Sequence, residues 1–103
     1  KPGMTPDEIT RNDAELYKKH GFAHTKLTGY SIGINFPPDW GEGNALSLQR
    51  GEQRVLEPGM VFHTPAIVRA PGAAFVGHSE TTLVTSDGPE VLTNCPPRDL
   101  IIK

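Results

Sequence analysis

A chain of 103 residues with net charge −2 and a pI of about 6.1 has room for one small domain with a modest core. It has no basic stripe to hold nucleic acid or an anionic membrane, and no apolar run approaching the roughly 20 residues of a membrane-spanning helix. Its one cysteine, Cys95, excludes an internal disulfide and reads as an ordinary packing or surface thiol, so a reducing, cytoplasmic setting is expected. No secretory leader pattern opens the chain. Lys1 rather than Met stands first, which suggests a piece cut from something longer. The 11 glycines and 10 prolines suit short strands joined by tight turns rather than a helical bundle.

Thr5-Pro6-Asp7-Glu8 is a helix start. Thr5 can cap, Pro6 suits the first helical position, Glu8 completes a capping box, and both acids favour the positive end of the helix. Ile9, Leu16, Tyr17 and His20 recur on one face, and Gly21 is a natural stop. One amphipathic helix over Pro6 to His20, covering a sheet, follows. Lys26 to Ile34 reads as a strand in which Gly29 and Gly33 permit close backbone approach. Asn35 to Asn44 is a loop, because Pro37 and Pro38 forbid helix and central strand. Leu46 to Leu48 and Arg54 to Leu56 are short strand candidates, and Glu57-Pro58-Gly59-Met60 has the chemistry of a type II turn. Met60 to Arg69 is a strand in which Pro65 implies an edge, a bulge or an end. After a turn at Ala70 to Ala73, Ala74 to Thr85 is the longest strand. Ser86 to Pro89 turns the chain into Glu90 to Thr93, and the tail from Asn94 is irregular. One helix followed by antiparallel strands makes an α+β domain.

Gly29-Tyr30-Ser31-Ile32-Gly33, Leu56-Glu57-Pro58-Gly59-Met60, Leu83-Val84-Thr85-Ser86-Asp87-Gly88 and Pro89-Glu90-Val91-Leu92-Thr93 occur in one order and spacing. In that order they resemble the C-terminal half of the pita-bread catalytic domain of methionine aminopeptidase, aminopeptidase P, prolidase and creatinase. The resemblance covers nearly the whole of residues 1–103. It implies a half-domain with one N-terminal helix packed on a curved antiparallel sheet, the other half lying upstream. The family norm it implies is two divalent metals, such as Mn, Co or Zn, held by two aspartates, a histidine and two glutamates. Such a pair polarises a carbonyl and supplies a hydroxide nucleophile. The aspartates would come from the upstream half.

The departures then carry the reading. The ligand histidine falls on Tyr30, a substrate-contacting histidine on Pro37, the first ligand glutamate on Pro65, and the second on Ser79, or on Glu80 if one residue is deleted. Tyrosine, proline and serine at these spacings do not make a divalent site, so no metal or other cofactor is expected. The run from Gly29 through Pro37-Pro38-Asp39-Trp40-Gly41-Glu42, with Phe62-His63 after the turn, looks closest to the metal-free ectoine hydrolase branch. This implies hydrolysis of a C–N bond in a small ectoine- or creatine-like molecule. His63, two residues before Pro65, would face the cavity as general acid or base, or be a hydrogen-bonded strand histidine. Glu80 could orient His63 or bind a substrate ammonium only if a bulge or deletion shifts the strand; in strict alternation Glu80 and His78 turn away together. Tyr30 could hydrogen-bond the substrate or fill the space of a lost ligand. Trp40 and Glu42 could stack on and pair with a small cationic ring, or Trp40 could pack the Pro-Pro corner.

Two further readings stay open. One is an Xaa-Pro peptidase homologue with a degenerate metal site. The other is a non-catalytic binding or scaffold module. A lone half should expose the apolar face its partner covers, so a homodimer without catalytic activity is expected of the isolated chain.

Overall fold

The computed structural model describes residues 1–33, 45–69, 72 and 75–94. Helix α1 (Pro6–Lys19) is followed by strands β1 (Leu27–Ser31), β2 (Ser47–Gln49), β3 (Val61–Arg69), β4 (Phe75–Thr85) and β5 (Gly88–Val91). The strands form one antiparallel sheet in the order β2-β1-β3-β4-β5. The α+β expectation holds. The loop at Asn35 to Asn44, with Trp40 and Glu42, and the tail from Cys95 lie outside the described residues.

Helix α1 begins as its sequence dictates. The Glu8 N–H donates to Thr5 Oγ1, and the Thr5 N–H donates to Glu8 Oε2 at 2.8 Å, so two orphan donors of the first turn are satisfied. His20 caps the end and Gly21 follows with φ of 79°.

The buried face of the helix differs from the apolar stripe expected. Leu16 is 54% exposed and His20 is exposed, whereas Pro6, Asp7 and Thr10 are buried. For Asp7 the reason is hydrogen bonding, whereas the buried Thr10 hydroxyl has no hydrogen-bond partner among the described residues. Asp7 Oδ1 accepts the Gly51 N–H at 2.9 Å while Oδ2 pairs with Arg11. Those bonds hold the Asp7 carboxyl below its usual range, the Gly51 amide contributing most. Asp13 Oδ2 meets both His24 Nε2 at 2.7 Å and the Thr28 hydroxyl at 3.0 Å. Thr28 reaches the helix because β1 bulges there: Leu27 opposes Gln49 and Gly29 opposes Leu48, leaving Thr28 unpaired and re-aimed.

The core is small: Leu46, Leu48, Leu56, Phe62 and Val84, with Ile9 of the helix and Met60 against it. Phe62, at 2% exposure, is among its most buried members and contributes roughly 1.5–3 kcal/mol by leaving water.

One strand expectation needs correction, and the three alternatives at Pro65 resolve to the edge. Arg54 to Leu56 forms no strand. Its Leu56 bonds the N-terminal segment instead, Leu56 N–H to the Met4 carbonyl and Gly3 N–H to the Leu56 carbonyl, while the Arg54 N–H donates to Glu52 Oε1. Pro65 neither ends nor bulges β3, which pairs without a break from Val61↔Leu83 to Arg69↔Phe75. Strand amides alternate between neighbours, so the Pro65 nitrogen shares its side with that of Ile67. The Ile67 N–H donates away from β4, to the Tyr17 hydroxyl at 3.1 Å. The registered pairing of β1 with β3 stops at Tyr30↔His63. Pro65 therefore withholds its donor where β3 has become a local edge.

Arg54 fastens the approach to β2. Its Nε and Nη2 donate to Glu52 at 3.0 and 2.7 Å, and Nη1 donates to the Ala45 carbonyl at 2.7 Å. The Arg54 side chain, and next its backbone amide, hold the Glu52 carboxyl at about 2, against an ordinary 4.5. A depressed carboxylate stabilises the fold above its unfolded value and loses that stabilisation as pH falls through the folded one. Glu52→Gln is expected to lower Tm at pH 7. The gap from wild type should shrink between pH 4.5 and about 2, as thermal melts across that range would show.

Candidate functional site

The site is built on a backbone contact that only glycine allows. A Cβ on Gly29 would sit 2.6 Å from the His63 carbonyl oxygen and 3.2 Å from both Leu48 Cδ1 and Thr64 Cγ2. Without it, β1 closes on β3 and Tyr30 stands directly opposite His63. Directly opposed residues on antiparallel strands share a face. The Tyr30 hydroxyl lies 2.6 Å from His63 Nδ1, and the rings meet edge to face, centroids 5.0 Å apart.

The next strand adds Thr81, directly across from His63. Its backbone is fixed from the chain leaving β5. The Thr81 N–H donates to Thr93 Oγ1 at 2.8 Å, and its carbonyl accepts the Leu92 N–H. Tyr30, His63 and Thr81 therefore form a row across three strands. With Ile32 they line an open hollow of about 590 Å³. A smaller hollow, about 190 Å³, adjoins it at His63 and runs along the β3–β4 hairpin.

Of the residues singled out from the sequence, Tyr30 and His63 come together. Glu80 does not join them. The β3–β4 register is regular, Pro65↔Ser79 and Thr64↔Glu80, so Glu80 lies on the opposite face from His63. It pairs there with His78, Nε2 to Oε1 at 3.1 Å. The shift that a role beside His63 required is absent from this strand. Trp40 and Glu42 lie outside the described residues. Thr81 was missed, although alternation from Ser79 along β4 was enough to find it.

The donor set does not suit a divalent metal. On the face where the resemblance implies ligands stand a phenol already bonded to His63, a proline with no donor atom, and a neutral serine hydroxyl. Among the described residues no group of three or more His, Cys, Asp or Glu could hold a metal ion. The arrangement can move a proton. A hydroxyl both donates and accepts, so Tyr30 can serve either tautomer of His63. As acceptor for Nδ1–H it leaves Nε2 a base; as donor to Nδ1 it leaves Nε2–H an acid.

Comparison with known proteins places this geometry. The pattern of Metallopeptidase family M24 matches residues 1–86. The chain is 36% identical over 105 residues to the ectoine hydrolase of Halomonas elongata, and 35% identical over 108 residues to an uncharacterised hydrolase/peptidase of Sinorhizobium fredii. All of the chain is matched in both cases, covering 25% and 26% of those proteins. Among solved structures, the Xaa-Pro dipeptidase from Bacillus anthracis superposes with a TM-score of 0.75 at 31% identity, over 100% of this chain and 28% of that one. The prolidase from Pyrococcus furiosus gives 0.74 at 27% identity, over 94% and 28%. The chain thus spans about a quarter of the length of these relatives, and its helix and five-stranded sheet match the expected pita-bread half-domain. Among the described residues no helix is long and apolar enough to cross a membrane.

Proposed function

The chain belongs to metallopeptidase family M24, and from that premise we propose that the intact protein hydrolyses a C–N bond in a small ectoine- or creatine-like molecule by acid–base chemistry, without a divalent metal. The observation that carries the reading is the 2.6 Å contact between the Tyr30 hydroxyl and His63 Nδ1. It bonds Tyr30, which stands where the resemblance implies a metal ligand, to a histidine.

In this reading His63 works through Nε2, the nitrogen not engaged by Tyr30. With Nδ1–H donating to the phenol oxygen, Nε2 takes a proton from water as the water oxygen bonds to the carbon. The same Nε2–H then protonates the departing nitrogen as the C–N bond breaks. Water is consumed and the imidazole returns to its starting state. Tyr30 accepts from Nδ1 throughout and holds the ring edge-on.

An Xaa-Pro peptidase is the second reading, favoured by the likeness to the Bacillus anthracis and Pyrococcus furiosus structures. A screen of the intact protein on ectoine, creatine and Xaa-Pro dipeptides, before and after exhaustive chelation, separates the two. Turnover of a cyclic amidine or guanidino substrate that survives chelation is expected. Turnover confined to Xaa-Pro dipeptides, lost on chelation and restored by Mn²⁺, Co²⁺ or Zn²⁺, would replace this reading with the peptidase one.

A further inference from the structure

We propose that Gly77 opens an apolar subsite beside His63, which receives a hydrophobic arm of the substrate whose reacting group meets the Tyr30–His63 pair. This rests on the hydrolase reading above and adds the chemical class of the group next to the scissile bond.

The first observation is continuity. His63 lines both hollows. Outward from His63↔Thr81, the same face carries Pro65↔Ser79 and then Ile67↔Gly77. A molecule held at His63 therefore has an uninterrupted path along the hairpin. The second observation is the character of the walls. Ile67 and Phe75, which flank the dip, are 37% and 62% exposed. Apolar side chains left open beside a reacting group favour an apolar substituent.

The third observation is the glycine. Gly29 is required by packing, because a Cβ there would strike a backbone oxygen at 2.6 Å. Gly77 is not. Its φ lies outside the left-handed region, and a Cβ would meet Ile67 Cγ1 at 3.5 Å and the Ala66 oxygen at 3.7 Å, both ordinary contacts. A strand interior gains nothing from a glycine, which weakens it and marks a place where something approaches the backbone closely. Here the missing side chain is the floor of the smaller hollow.

The test measures binding of acetamide, butanamide and hexanamide to the intact protein, followed through the Ile67 methyl resonances. Partial to full burial of each added methylene strengthens binding by about two- to fourfold, so hexanamide, longer than acetamide by four methylenes, is expected to bind at least about tenfold more tightly. Gly77→Val, whose side chain fills the dip, is expected to bring the two affinities within about threefold. Gly77→Ala adds one methyl at contact distance and should give an intermediate ratio; it decides the matter if the valine variant does not fold. Equal affinities for the three amides in the wild type, or a hexanamide preference that survives both substitutions, would overturn the subsite. A protein that prefers hexanamide but hydrolyses no C–N bond refutes the hydrolase reading alone. One that hydrolyses such a bond without any chain-length preference refutes the subsite alone.

Discussion

His63→Gln in the intact protein is expected to lower kcat by about 10²–10⁴ while leaving KM within a few-fold, the usual weight of a general acid–base residue. Glutamine keeps hydrogen-bonding atoms near the position of Nε2 but cannot carry a proton between water and the leaving nitrogen. Tyr30→Phe should cost kcat less, about 10- to 100-fold, because the proton carrier remains and only its partner at Nδ1 is lost. The informative measurement is the double variant. Two groups acting as one unit are not additive. His63→Gln with Tyr30→Phe should therefore be no slower than His63→Gln alone. If the two losses multiply, the 2.6 Å contact is packing, and Tyr30 merely occupies the space of a ligand. If His63→Gln leaves kcat unchanged, the acid–base reading fails, and a binding module or a reaction driven from elsewhere in the protein takes its place.

Legibility in the sequence followed how local each feature is. The start of α1 was readable because Thr5, Pro6 and Glu8 settle the capping geometry among themselves. The Glu57–Met60 turn was readable for the same reason, with Gly59 at φ of 95° and the Met60 N–H reaching the Glu57 carbonyl. Alternation along β4 foretold that Glu80 and His78 would turn away together, and they are hydrogen-bonded to each other. What could not be read depends on distant partners. Asp7 looks like part of a solvated helix face until Gly51 comes into view. Thr28 looks like an ordinary strand residue until the pairing with β2 shows the bulge. Pro65 left an edge, a bulge or an end open, because period and propensity do not say where a neighbouring strand ends; the register shows the edge. Arg54 to Leu56 had strand composition, but the Leu56 backbone is taken by Gly3 and Met4 and the Arg54 N–H by Glu52.

The site is the intermediate case. Its face was legible, since His63 lies two residues from Pro65 and opposite Tyr30. Its chemistry was not. The contact between Tyr30 and His63 needs the distance between β1 and β3, which the Gly29 backbone sets. Thr81 needed the same register from the other side.

Gly29→Ala is therefore expected to damage stability and site together. The added methyl would lie 2.6 Å from the His63 carbonyl oxygen, a separation that real Cβ atoms do not tolerate. The oxygen cannot readily yield, because β3 is tied along its length to β4. Leu48 and Thr64 press from the other sides at 3.2 Å. The remaining way out is for β1 to move off β3, and overpacking of this kind costs about 1–3 kcal/mol. The bulge at Thr28 adjoins the site of strain, so the anchoring of that hydroxyl to Asp13 should loosen as well. Denaturant unfolding should show a lower midpoint with an unchanged slope. Cross-peaks between the Tyr30 and His63 rings, whose centroids now stand 5.0 Å apart, should weaken. Turnover should fall with them, whereas Gly77→Ala, whose methyl meets Ile67 at 3.5 Å, should leave the ring cross-peaks intact. An alanine variant with wild-type stability and unaltered ring contacts would mean that β1 can shift without cost. Gly29 would then not be what sets Tyr30 against His63.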